Sequence, residues 1–77
     1  MAGLPILSAD EVVKAFSSFG WAIVRRRSSH IIMTKEGHIA TLSIPDHAEV
    51  ARGTLRSLVR AAGLTSAEFV QAVRRGG

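Results

Sequence analysis

Apolar residues with helical spacing follow a polar start signal near the N-terminus. Ser8 and Glu11 stand three residues apart, the spacing of a capping box, in which each side chain bonds the other residue's backbone N–H. The apolar positions behind them recur every three or four residues, at Val12, Val13, Phe16 and Phe19. Gly20 then supplies the left-handed conformation in which many helices end. The pattern predicts a first helix over residues 9–19, preceded by a short apolar arm at residues 1–7.

Three short segments rich in β-branched and alternating apolar residues come next, and each is bounded by turn residues. They are predicted as strands at residues 21–24, 30–34 and 38–44. The first connection is a charged turn, Arg25-Arg26-Arg27-Ser28-Ser29, and the second is a tight hairpin at Lys35-Glu36-Gly37. Pro45 is expected to end the third strand, because proline cannot donate to a ladder. Connections this short favour an antiparallel meander.

Two further helices are predicted after a loop at residues 45–51. One begins at Gly53-Thr54 and ends at Gly63, and a second capping box, Thr65 with Glu68, opens a short last helix. The order α-β-β-β-α-α predicts an α+β fold, a two-layer sandwich with helices on one face of a three-stranded antiparallel sheet. Its expected core is Phe16, Trp21, Leu42, Ile44, Leu55, Leu58 and Val59.

The middle strand leaves one question open. His30, Ile32 and Thr34 share one side of it, and Ile31 and Met33 share the other. Both sides are partly apolar, and only one of them can face the helices. The other side is therefore expected to leave apolar surface at the solvent, which suggests a partner that covers it.

Length and composition limit the kind of protein. A chain of 77 residues with 47% apolar and 21% charged residues is expected to form one small globular domain over residues 1–77, with a flexible tail at 76–77. No cysteine is available for a disulfide or a thiolate metal site. No apolar run approaches the length of a membrane span, and no basic leader is visible, so we expect a cytoplasmic protein.

The charge is basic and concentrated in the middle of the chain. The formal net charge is +4, and eight of the ten basic residues are arginine, which clamps phosphate with two parallel hydrogen bonds. A small basic domain points toward a polyanion, most often nucleic acid. Arg52, Arg56 and Arg60 recur every fourth residue and form one stripe on the second predicted helix. That stripe is either a solvated face, a row of phosphate contacts or a surface for an acidic partner.

Few residues in the chain can carry chemistry. There is no Cys or Tyr, and three of the six acidic residues are used at helix starts. His30 follows the arginine cluster, and a histidine there could move a proton while arginines hold a phosphodiester. The alternative is a histidine at a strand end that only forms hydrogen bonds. His38 and His47 are less suggestive, and the spacing of the three histidines matches no metal-ligand motif.

Several motifs together resemble one protein family. They are Gly20-Trp21, a strand, Arg25, a turn ending Ser29-His30, a hairpin, a strand ending Ile44-Pro45, and the run Arg52-Gly53-Thr54-Leu55-Arg56-Ser57-Leu58-Val59-Arg60-Ala61-Ala62-Gly63-Leu64. Over about residues 8–73 the chain resembles the HicA toxins of bacterial and archaeal toxin–antitoxin pairs. The resemblance implies a fold similar to the double-stranded RNA-binding domain. It also implies a metal-independent mRNA interferase without a cofactor, and a HicB-like antitoxin that covers the active site.

The resemblance also assigns residues. It places the catalytic histidine at His30 and the motif serine at Ser29, and the glycine usual in the family falls on Ser28. The expected RNA-binding residues are Arg25, Arg26, Arg27, Ser28, Ser29, Lys35, Arg52, Arg56 and Arg60. Two alternatives stay open: a non-catalytic RNA-binding module of the same fold, and a degenerate toxin that only binds its antitoxin. A membrane partner is not expected.

Overall fold

The predicted order of elements is the order observed. The computed structural model describes residues 3–76. Its elements are α1 Ala9–Ser17, β1 Ala22–Arg27, β2 His30–Thr34, β3 Leu42–Pro45, α2 Arg52–Ala61 and α3 Ser66–Gly76. The strands form one antiparallel sheet in the order β1-β2-β3, so the α+β prediction is confirmed. Within residues 3–76, no helix has the length and apolar character needed to cross a membrane.

Both predicted capping boxes are formed. The Ser8 N–H donates to Glu11 Oε1 at 2.9 Å, and the Glu11 N–H donates to Ser8 Oγ at 3.2 Å. The Thr65 and Glu68 pair makes the same two bonds at the start of α3. Gly20 has the positive φ that its place after α1 requires, at 96°. The helix itself ends at Ser17, two residues earlier than predicted, because residues 18–20 form a turn.

The prediction that the three arginines form a turn is wrong. Strand β1 continues to Arg27, and only Ser28 and Ser29 connect it to β2. The backbone ladder extends to the pairs Arg26 with Ile31 and Arg27 with His30. Successive side chains of a strand point to opposite faces, so this conformation also separates neighbouring guanidinium groups.

The third strand was predicted too long. It begins at Leu42, so the connection from β2 spans residues 35–41. The chain turns back at His38, whose N–H donates to the Lys35 carbonyl at 3.0 Å, and His38 Nδ1 accepts from the Ala40 N–H at 3.2 Å. Ile39, which the alternating pattern placed in a strand, is 100% exposed. These local hydrogen bonds replace the ladder that a longer strand would have formed.

The last helix is longer than predicted. It has 11 residues and includes Gly76, which was expected to belong to a flexible tail. Gly77 lies outside the described residues, as do Met1 and Ala2 of the predicted arm. Within that arm, Leu4 and Leu7 are buried, and Leu7 forms an isolated bridge with Val50. The arm therefore contributes apolar side chains to the core.

The core lies between the helices and one face of the sheet. All seven predicted core residues are buried there. Phe16 is central, because its ring lies 6.4 Å from the Trp21 ring and 4.9 Å from the Phe69 ring, between centroids. Ile31 and Met33 are the inward side chains of β2, which settles which face of that strand is buried. The opposite face of the sheet carries His30 and a half-buried Ile32.

Candidate active site

The face of the sheet that points away from the helices, called here the open face, gathers basic side chains around His30. Residues paired across neighbouring strands share a face. The pairing therefore gives one row of Arg27, His30 and Pro45. The next row contains Arg25, Ile32 and Ser43. Since directly paired Cβ atoms lie about 5 Å apart and diagonal ones about 7–8 Å, the Arg27 and Arg25 side chains can both reach a group bound at His30.

A β-bulge at Val24 decides which arginines share the open face. Ile23 pairs with Met33 and Arg25 pairs with Ile32, so Val24 has no partner on β2. The extra residue shifts the alternation by one position. An unbroken ladder from Ile23 would instead have paired Arg26 with His30. The bulge thus places two arginines beside His30 and leaves Arg26 opposite Ile31, on the other side of the strand.

The turn before His30 has an unusual backbone. Ser28 has φ of 49°, and within residues 3–76 it is the only non-glycine residue with a positive φ. A two-residue hairpin turn with positive φ at its first central position has the φ pattern of a type II′ turn, which favours glycine there. The chain has serine at this position, so the turn holds backbone strain next to the candidate catalytic residue.

A second backbone contact holds that turn in place. The Ser29 carbonyl accepts from the Asp46 N–H at 2.7 Å. This bond continues the alignment of β2 and β3 one residue beyond the His30 and Pro45 pair. His30 therefore extends from a fixed backbone, while its side chain is exposed. An exposed imidazole on a rigid support can meet a large substrate without a cavity.

The remaining predicted RNA-binding residues are spread over other surfaces. Lys35 follows the opposite end of β2 and lies beside Gly20, where its Cε is 3.4 Å from the position a Cβ would occupy. Arg52, Arg56 and Arg60 are exposed on α2, in the helical layer of the sandwich. Of the predicted residues, Arg25, Arg27, Ser28 and Ser29 are the ones that the fold brings together around His30.

The other two histidines occupy different environments. The His38 ring packs against the buried Trp21, with 5.0 Å between ring centroids, and its Nδ1 accepts a backbone hydrogen bond. His47 is exposed, and its carbonyl accepts from the N–H of Ala9 at the start of α1. Within residues 3–76, His, Asp and Glu side chains form no group of three or more that could hold a metal.

The comparison with known families identifies the class of protein. The profile described as "HicA toxin of bacterial toxin-antitoxin" matches residues 9–64, which is more than half of the chain and includes the turn, His30 and α2. The chain belongs to the HicA toxin family, as its motifs indicated. Searches of curated proteins and of solved structures found no match. The protein is thus a toxin-family member whose partner is an antitoxin.

Proposed function

We propose that this toxin cleaves mRNA at the open face, with His30 as the catalytic residue and with Arg25 and Arg27 as phosphate ligands. The observation that carries the proposal is the pairing of an exposed His30 with Arg27, with Arg25 one row away on the same face. A proton-transferring group beside two cations suits the cleavage of a phosphodiester. The mRNA substrate implies that the toxin acts in the cytoplasm.

The proposed reaction uses only groups of the chain and of the RNA. Neutral His30 accepts the proton of a ribose 2′-hydroxyl, and the 2′-oxygen attacks the adjacent phosphorus. Arg25 and Arg27 donate hydrogen bonds to the non-bridging oxygens, whose negative charge increases in the transition state. The bond from phosphorus to the 5′-oxygen breaks, and that oxygen takes up the proton that His30 accepted, which returns His30 to its neutral form. The products are a 2′,3′-cyclic phosphate and a 5′-hydroxyl end, and no metal or cofactor takes part.

The second basic surface has a supporting role in this proposal. Arg52, Arg56 and Arg60 lie along α2 and can bind phosphates of the RNA at a distance from the cleaved bond. Lys35 and Arg26 add positive charge at the ends and edge of the sheet. Their contribution is to affinity, because none of them shares the open face with His30.

The antitoxin of this proposal is HicB-like and covers the open face. Ile32 is half-buried there without a neighbour from the helices, and the surrounding side chains are basic. A partner with apolar residues flanked by acidic ones would complement this surface. Such a partner would block access of RNA to His30 without changing the fold of the toxin.

The decisive experiment uses the purified toxin with a defined single-stranded RNA. His30→Ala should abolish cleavage, because proton transfer by a positioned side chain contributes on the order of 10²–10⁴-fold in rate. His47→Ala is the matched control, since His47 is also exposed but lies in the loop after β3. The wild-type products should carry cyclic phosphate ends and should form in the presence of a chelator. A folded His30→Ala protein that cleaves at the wild-type rate would refute the assignment.

Assays of RNA binding, growth arrest and antitoxin binding on the same protein separate the two alternatives. A non-catalytic RNA-binding module would bind the RNA and leave it intact. A degenerate toxin would neither cleave RNA nor arrest growth, yet would still bind the antitoxin. The strained turn speaks against degeneration, because Ser28 keeps the positive φ that a glycine would adopt there and thereby preserves the presentation of His30.

A further inference from the structure

The outer edge of β1 has backbone groups without partners. Strand β1 lies at the end of the sheet and pairs only with β2. Apart from that pairing, no backbone hydrogen bond of the described residues involves residues 22–27. All six residues of β1 are exposed. The outward N–H and C=O groups of this strand therefore face solvent in the toxin alone, a template for a further strand.

The other edge of the sheet does not offer the same template. Strand β3 has four residues, two of them buried, and it ends in Pro45, which has no N–H. The chain after it is tied to the turn before β2 and to the N-terminal arm, through Asp46 and Val50. Strand addition is thus favoured at β1 by both length and exposure.

The side chains of β1 define the chemistry of the added strand. Ile23 and Val24 are 40% and 54% exposed, and three consecutive arginines follow them. None of the side-chain hydrogen bonds among residues 3–76 involves an arginine. An extended segment with apolar residues beside Ile23 and acidic residues beside Arg25–Arg27 would match both halves of the strand.

Charge disfavours a second copy of the chain at this edge, and hydrogen bonding disfavours RNA. A second copy of the chain would carry its own net charge of +4, so the two copies would repel each other. RNA would neutralise the arginines, but its phosphates cannot donate to the outward carbonyls of β1. We propose that an acidic, extended segment of the antitoxin adds to β1 as a fourth strand. The proposal depends on membership of the toxin family and not on the RNA-cleaving role of His30.

The test is hydrogen exchange of the toxin alone and in complex with its antitoxin. Peptides covering residues 22–27 should exchange at least tenfold more slowly in the complex, and a protected antitoxin segment should be acidic. Val24→Pro should weaken antitoxin binding at least tenfold, because a proline on the edge strand has no N–H and its ring obstructs an added strand. Circular dichroism would verify that this variant is folded.

A charge reversal tests the same surface without altering the backbone. Arg26→Glu should weaken antitoxin binding at least tenfold, whereas Arg74→Glu, the same change on exposed α3, should alter it less than twofold. Unchanged exchange of residues 22–27 in the complex would overturn the proposal. So would protection by RNA instead of the antitoxin, or concentration-dependent self-association that Val24→Pro abolishes. Loss of RNA cleavage has no bearing on any of these outcomes.

Discussion

Replacing Ser28 with glycine should stabilise the protein. Ser28 has φ of 49°, and a non-glycine residue in this region costs on the order of 1–3 kcal/mol. Glycine removes the strain, but it also has more conformational freedom in the unfolded chain, which costs roughly 0.5–1 kcal/mol. The two effects leave a net gain in the free energy of unfolding of about 1 kcal/mol.

The measurement is urea unfolding followed by circular dichroism, with thermal unfolding beside it. A gain of about 1 kcal/mol should raise the melting temperature by roughly 4–8 °C in a domain of this size. The dependence of the free energy on urea should keep its slope, because the buried surface does not change. Ser29→Gly is the matched control. Ser29 lies in the same turn without a positive φ, so this change should lower stability by roughly 0.5 kcal/mol.

Ser28→Gly and Ser29→Gly are expected to change the free energy of unfolding in opposite directions, so the measurement can refute the assignment of strain to Ser28. If Ser28→Gly leaves the free energy of unfolding unchanged or lowers it, with the slope preserved, Ser28 is not strained. If both substitutions stabilise the protein equally, the effect belongs to glycine in the turn and not to the φ of Ser28. Ser28→Val should destabilise the protein more than Ser29→Gly does, since a β-branched side chain tolerates positive φ least.

Further predictions concern RNA and the remaining histidines. Arg27→Ala should lower kcat/KM for RNA cleavage roughly 10- to 100-fold, since hydrogen bonds to charged groups contribute about 1.5–3 kcal/mol. Arg60→Ala should have a much smaller effect on kcat/KM. RNA affinity should fall with salt, and its logarithmic slope should decrease by about 0.7 when Arg27 is removed; a flat salt response would contradict the phosphate contacts. His38→Ala should lower the free energy of unfolding by about 2 kcal/mol, because it removes the hydrogen bond from the Ala40 N–H and the contact with the Trp21 ring. In the same denaturation assay, His47→Ala should change the free energy of unfolding by less than about 0.5 kcal/mol.

Local signals in the sequence predicted most of the fold. The capping boxes at Ser8 and Thr65 involve residues three positions apart, and both are formed as expected. The apolar stripes predicted the core because burial follows from the helical and strand periods alone. Residues 38–41 were mispredicted because their alternation resembles that of a strand. The hydrogen bond that turns this segment back uses the side chain of His38, which no periodicity reveals.

The candidate site depended on a feature that no local pattern contains. His30 was predicted from motifs, but three adjacent arginines give no indication of which ones share its face. The strand must keep Ile23 opposite Met33, and it must also bring Arg27 opposite His30. Ile23 and Arg27 are four residues apart along β1, whereas their partners on β2 are three residues apart. One residue of β1 is therefore left without a partner. Val24 is that residue, and it lies on an edge strand, where a bulge disrupts the ladder least. The arrangement of cations at the open face is therefore set by the register between two strands.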